Sequence, residues 1–119
     1  TNDLTQYVLA MDRGNPELAA RIDALHPAVL RMIAQTCQGA KAHGRWVGVC
    51  GGLASDLAAT PILLGLGVTE LSATAAIVPE VKARVRALDM AACQDLARQA
   101  LAQTSPEAVR GLVQSTLGA

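Results

Sequence analysis

Phenylalanine is absent from these 119 residues, and there is one tryptophan and one tyrosine. So few aromatic rings exclude base-stacking platforms and aromatic cages for cationic ligands. An excess of either charge is also missing, because ten Lys and Arg balance ten Asp and Glu. With no basic footprint, nucleic acid is not an expected partner. No apolar run reaches the ~20 residues needed to cross a bilayer, and no stretch reads as a secretory signal. Membrane insertion is therefore not expected, and the cytoplasm is the expected location. The three cysteines, Cys37, Cys50 and Cys93, are odd in number and show no CxxC spacing. A disulfide framework or a zinc site is excluded on that count, and a reducing compartment fits better. Two histidines, His26 and His43, are too few and too far apart for a histidine metal cage.

What is present is aliphatic: hydrophobic residues make up 51% of the chain, enough for one modest domain with a core. Leu4 to Met11 reads as a short helix. Asn15-Pro16 reads as a cap with proline in the first helical turn, opening a helix to about Ala24. A further helix starts at His26-Pro27, places Val29, Leu30, Ile33, Ala34 and Cys37 on one face, and ends at His43-Gly44. Arg45 to Cys50 is short, apolar and β-branched, and reads as a buried parallel strand. Leu57 to Leu66 reads as a helix and Val68 to Ser72 as a second strand. Helices from Pro79, from the cap Asp89 and from Ser105-Pro106-Glu107 complete the chain, with Val81, Val85 and Leu88 on one face of the first. Lys82, Arg84, Arg86 and Arg98 interleave with apolar positions and read as a solvated face.

Strands alternating with helices argue for parallel βα units. The expected fold is α/β and helix-rich, with two short parallel strands, over a single domain spanning residues 1–119. Two complete strands cannot form a covered parallel sheet, and a closed (βα)8 barrel takes roughly 250 residues. The sequence opens on Thr1-Asn2-Asp3, where a strand would hand over to a helix, so that strand is expected to lie outside it.

The residues suited to chemistry collect at such hand-over points, which in parallel sheets are where ligands bind. Asp3 offers a hard carboxylate of the kind that holds magnesium together with substrate oxygens and water; it equally suits a helix cap. Asn2 offers an amide to a phosphate or carboxylate, or a simple turn. Arg13, in Asp12-Arg13-Gly14-Asn15, offers a planar fork that matches phosphate, or a solvated charge. Cys50 ends an apolar strand just before Gly51-Gly52, where the backbone can approach a ligand closely. A thiol is ordinarily protonated at neutral pH and can act there as a general acid; a small residue packed in a tight turn is the alternative. Cys37 and Cys93 lie within helical patterns and read as packing. His26 and His43 read as capping or surface residues.

Thr1-Asn2-Asp3-Leu4-Thr5-Gln6-Tyr7, Asp12-Arg13-Gly14-Asn15, His26-Pro27 and Gly48-Val49-Cys50-Gly51-Gly52-Leu53-Ala54, taken together, resemble the C-terminal part of enzyme I of the bacterial sugar phosphotransferase system, the phosphoenolpyruvate-protein phosphotransferase. The resemblance runs to about Ala102, and Gly51-Gly52 is more like the fructose-type fused forms. It implies the last three βα units of a (βα)8 TIM-type barrel, the first lacking its strand. It implies phosphoenolpyruvate and pyruvate as ligands and Mg²⁺ as cofactor. Asn2 would contact substrate, Asp3 would be one of two metal carboxylates, Arg13 would grip the phosphate, and Cys50 would protonate the methylene carbon. A histidine in a separate N-terminal domain would take the phosphoryl group and pass it to a phosphocarrier protein. That histidine, the second carboxylate and further phosphate-binding arginines are not in this sequence, so the segment alone is expected to be inactive.

Two other readings remain open at this stage. The segment would also suit a pyruvate-phosphate dikinase or phosphoenolpyruvate synthase relative, or a non-catalytic helical dimerisation module. In every case, sheet edges and helix faces without partners favour self-association or a homodimer.

Overall fold

The computed structural model describes residues 1–118. Helices α1 (Asn2–Leu9), α2 (Pro16–Ala19) and α3 (Pro27–Ala42) precede strand β1 (Gly48–Cys50). Then come α4 (Thr60–Leu66), β2 (Glu70–Ser72), α5 (Val78–Arg86), α6 (Met90–Leu101) and α7 (Pro106–Leu117), with 3₁₀ turns at Gly52–Ser55 and Ala75–Ile77. The fold is thus helix-rich α/β, as the sequence implies. β1 and β2 pair in parallel, Gly48 opposite Glu70, Val49 opposite Leu71 and Cys50 opposite Ser72. The crossover between them is the 3₁₀ turn and α4.

Local chemistry explains most helix starts. Asn15 accepts a hydrogen bond from the Glu17 amide, Asp89 from Ala92 and Ser105 from Ala108, each satisfying an amide that the helix itself leaves free. His26 does the same through Nδ1 for Ala28. The exit of α3 runs through His43 into Gly44, whose φ is +62°.

Five expectations need correction. α1 begins at Asn2 rather than Leu4, so Asn2 and Asp3 lie in its first turn, where a carboxylate complements the helix dipole. The helix from Pro16 stops at Ala19, not Ala24, and the chain then turns where the Asp23 carboxylate accepts from the Leu25 amide. α4 starts at Thr60 rather than Leu57, because Asp56 makes the same kind of turn onto Ala58 and Pro61 is tolerated only in the first turn. Arg84 is half-buried rather than solvated, and its Nε is shielded from solvent without a hydrogen-bond partner. Lastly, the Arg45–Cys50 strand is three residues long, and of those only Val49 is buried.

The physical reason for the last correction is strand alternation. Val49 and Leu71 point to the helices and join the core, whereas Gly48, Cys50, Glu70 and Ser72 share a face that is exposed among the described residues. A Cβ added at Gly48 would lie 3.4 Å from the Glu70 carboxylate and 3.0 Å from the ring of Trp46, which is itself 70% exposed.

The covered side holds the core, in which Leu25, Leu30, Ile62, Leu63 and Leu96 are the largest fully buried side chains. Each contributes about 1.5–3 kcal/mol by leaving water. The tightest packing is between α4 and α6. A Cβ at Gly65 would overlap the Cys93 carbonyl and sit 2.9 Å from Cβ of Ala97. Burial pushes the thiols of Cys37 and Cys93 above their ordinary range, as befits packing residues; at Cys93 the nearby Asp89 adds to that rise and Arg84 opposes it.

Two predictions follow from this packing. Gly65→Ala must move a backbone carbonyl rather than a flexible side chain, so it should destabilise the protein by about 1–3 kcal/mol or more, read as a lower urea midpoint. The uncovered sheet face and edges should make the isolated chain self-associate in light scattering. A monomer at high concentration, with well-protected strand amides in hydrogen exchange, would contradict that.

Candidate functional site

The C-terminal end of β1 and the N-terminal end of α1 meet. The hydroxyl of Thr1 donates to the Cys50 carbonyl at 2.7 Å, and the Thr1 nitrogen reaches the same oxygen at 3.0 Å. Thr1 is the N-cap of α1 yet makes no side-chain cap, so the first-turn amides stay free, a favourable setting for an anion. One residue on, Oδ1 of Asn2 accepts from the Gly52 amide at 3.2 Å. Gly51 between them has φ +88°, and a Cβ there would lie 2.8 Å from the Asn2 oxygen. Glycine is required at 51 on both grounds. The thiol of Cys50 is exposed, unlike those of Cys37 and Cys93.

Gln6 connects the other two expected residues. Its Oε1 accepts from the Arg13 amide at 2.8 Å, and its Nε2 makes a long 3.4 Å contact with Asp3 Oδ1. The side chain thereby fixes the start of the Arg13 loop against α1. The Arg13 guanidinium is exposed and has no ion pair or hydrogen bond among the described residues.

Asn2, Asp3 and Cys50 thus lie at the junction of α1 with the end of β1, and the Arg13 loop is tied to α1 through Gln6, but the four do not share one hollow. Asn2 and Arg13 line a cavity of 310 Å³ together with Gly52, Asp23, Asp56 and Arg110. Asp3 faces a neighbouring hollow beside Tyr7 and Asp12. Cys50 lies on the uncovered sheet face near Trp46 and Ser72.

Asp3 fits a hard cation such as Mg²⁺ as a single oxygen ligand: it is exposed, and among the described residues its carboxylate takes only the long hydrogen bond from Gln6. No group of three His, Cys, Asp or Glu side chains capable of holding a metal occurs among the described residues.

Sequence reasoning missed four residues here. Gln6 sits in a motif singled out for other members. Asp23 and Asp56 each stand two residues before the amide they accept from, a recognisable turn signal. Arg110 has no local signal, because its partners are remote in the chain. Its Nε reaches Asp23 Oδ2 at 2.7 Å, and its Nη2 reaches Asp23 Oδ1 at 2.9 Å and Asp56 Oδ2 at 3.0 Å. Burial pushes the Asp23 carboxyl up, but the hydrogen bonds from Arg110 and Leu25, with the charges of Arg110 and His26, outweigh it and hold the group below its ordinary value. The hydrogen bond to Asp23 likewise raises Arg110 further, against the opposing effect of burial.

Comparison with known proteins gives this geometry a context. Residues 1–90 match the family described as PEP-utilising enzyme, PEP-binding domain. The multiphosphoryl transfer protein of Xanthomonas campestris pv. campestris is 62% identical over 94% of this chain and 13% of its own length. That of Rhodobacter capsulatus is 54% identical over 94% of the chain and 14% of its own length. The phosphoenolpyruvate-protein phosphotransferase of Buchnera aphidicola is 38% identical over 97% of the chain and 20% of its own length. The chain thus spans a fifth or less of the length of these relatives.

The Asp23 pair makes stability depend on pH in a defined direction. A carboxyl whose folded value is depressed stabilises the fold above its unfolded pKa, about 3.9, and the benefit is lost as pH falls through the lower folded value. Asp23→Asn keeps the acceptor for Leu25 and removes the charge. It should cost about 1 kcal/mol at neutral pH, given the partial exposure of the pair. In urea denaturation the difference from the unsubstituted protein should shrink below about pH 4.

Proposed function

Since the chain belongs to the PEP-utilising enzymes, within their PEP-binding domain, we propose that it is the C-terminal part of a phosphoenolpyruvate-protein phosphotransferase and carries one side of the phosphoenolpyruvate site. The observation that carries this reading is the junction of the start of α1 with the end of β1. The Asn2 amide is set against Gly52, the Arg13 guanidinium, unpaired among the described residues, lines the same cavity, and Cys50 is exposed at the strand end. These groups suit a small ligand with a phosphate, a carboxylate and a carbon to be protonated. The parent fold on this reading is a (βα)8 barrel whose other strands lie outside this chain.

Asn2 orients the substrate, and Arg13 supplies a fork for the phosphate oxygens. Asp3 supplies one carboxylate for Mg²⁺, whose chemistry when bound is to neutralise the charge of the phosphate and enolate oxygens. The phosphorus–oxygen bond to the enol breaks as the phosphoryl group passes to a histidine nitrogen of another part of the parent protein, and from there to a phosphocarrier protein. The enolate left behind takes a proton on its methylene carbon from the Cys50 thiol, giving pyruvate. The resulting thiolate recovers a proton from solvent. The reverse direction uses the same groups. A cytoplasmic location and a role in sugar uptake accord with this chemistry.

The names of the relatives, multiphosphoryl transfer protein and phosphoenolpyruvate-protein phosphotransferase, support this reading over a dikinase or synthase. The uncovered sheet face is compatible with a dimerisation role for the same segment.

The test is kinetic, in the full-length protein. Cys50→Ala should lower pyruvate formation about 10²-fold or more and leave phosphoenolpyruvate binding within a few-fold, because a proton delivered to carbon acts in the transition state. Arg13→Ala should weaken binding about tenfold or more, because a charge-assisted contact is lost in both states. Unchanged turnover in Cys50→Ala would assign the thiol to packing. Pyruvate release above background by the isolated chain, supplied with Mg²⁺ and carrier protein, would overturn the assignment of the histidine to another part of the parent.

A further inference from the structure

We propose that Arg110 is a positioning residue for the phosphoenolpyruvate site, acting from α7 on the two segments that carry Arg13 and Cys50. The inference rests on the functional reading just given.

Asp23 lies in the turn between α2 and α3, ten residues after Arg13 and facing the same cavity. Asp56 lies in the turn that leads from Cys50-Gly51-Gly52 into α4. Each carboxylate already fixes its own turn by accepting a backbone amide, Leu25 for Asp23 and Ala58 for Asp56, both at 2.9 Å. Arg110 then bridges the two carboxylates with contacts of 2.7, 2.9 and 3.0 Å. The three residues line the same cavity as Asn2, Arg13 and Gly52. A planar fork shared between two carboxylates sets their separation more tightly than a flexible ammonium would. Both turns border the cavity that Arg13 and Gly52 also line, so their spacing bears on where the phosphate-gripping loop and the Cys50-Gly51-Gly52 turn sit around it.

α7 does not need Arg110 in order to dock. Val109 and Val113 of the same helix are both buried in the core, and they hold it in place. Arg110 is 44% exposed, so its contribution lies in where its fork sits rather than in buried area. It also lies beyond residues 1–90, the part matched to the family. The cavity is therefore lined in part by a helix outside that match.

The experiment is steady-state kinetics on the full-length protein carrying Arg110→Met, Arg110→Lys and Asp56→Asn, with Arg13→Ala as reference and thermal melting of each in parallel. Arg110→Met is expected to raise KM for phosphoenolpyruvate and to lower kcat, each about fivefold or more, since both turns lose their spacing. Arg110→Lys keeps the charge without the fork and should recover only part of either change. Asp56→Asn keeps the acceptor for Ala58 and frees only the Cys50 side, so it should lower kcat while KM stays within twofold. This split also stands if Arg110→Met does not fold. A fall in melting temperature with both constants within twofold of the unsubstituted protein, in Arg110→Met or Asp56→Asn, would make the bridge a staple only and overturn the proposal. If Arg13→Ala is equally without effect on KM, the functional reading itself fails, a result distinct from failure of the positioning role.

Discussion

The candidate site depends on one close approach, that of the Asn2 side chain to the turn at Gly51 and Gly52. Oδ1 of Asn2 takes the Gly52 amide at 3.2 Å, and Gly51 must be bare because a Cβ would come within 2.8 Å of that same oxygen. Any other residue at 51 would also be strained at φ +88°. This approach, with the Thr1 hydroxyl on the Cys50 carbonyl, joins the start of α1 to the end of β1. Everything assigned a role is placed relative to that junction: Asn2 and Cys50 by being in it, Asp3 by being one residue on, and Arg13 through Gln6 on the same helix.

Behind the junction the protein is rigid for ordinary reasons. Val49 and Leu71 face a core of aliphatic side chains, and α4 and α6 touch so closely at Gly65 that no methyl fits between them. On the opposite side of the strands no other element of the described residues forms a layer. Gly48, Cys50, Glu70 and Ser72 remain open. A thiol on a covered strand would be inert packing, as at Cys37 and Cys93. A thiol on this open face is reachable by a substrate. The difference between the three cysteines is thus one of strand alternation and helix face, not of cysteine chemistry.

That alternation marks where the sequence was legible and where it was not. Asn15, His26, Asp89 and Ser105 announce helix starts because a cap acts within three residues. The parallel pair of strands is likewise visible from β-branched runs flanked by helices. The extent of burial is not, because Val47-Gly48-Val49-Cys50 reads the same whether one face or both are covered, and coverage depends on chain that is not local. The site divides in the same way. Asn2, Asp3, Arg13 and Cys50 stand out by type and motif. Gln6 would have yielded to a search for a side chain able to reach both Asp3 and the Arg13 amide. Arg110 meets Asp23 and Asp56 only through the tertiary fold, so no window of sequence holds the three together. Asp23 and Asp56 also explain two misplaced helix boundaries, since each ends or delays a helix with its own turn.

On the proposed function, phosphoenolpyruvate binds beside Cys50. The exposed state of this thiol, against the buried state of Cys37 and Cys93, allows a direct measurement: the rate of Cys50 alkylation by iodoacetamide in the full-length protein, followed by peptide mass mapping, with and without phosphoenolpyruvate and Mg²⁺. Saturating phosphoenolpyruvate with Mg²⁺ should slow modification of Cys50 about fivefold or more, while inorganic phosphate at the same concentration should not. An unchanged rate at Cys50, in protein shown in the same sample to have bound phosphoenolpyruvate, would place the substrate elsewhere and contradict the account.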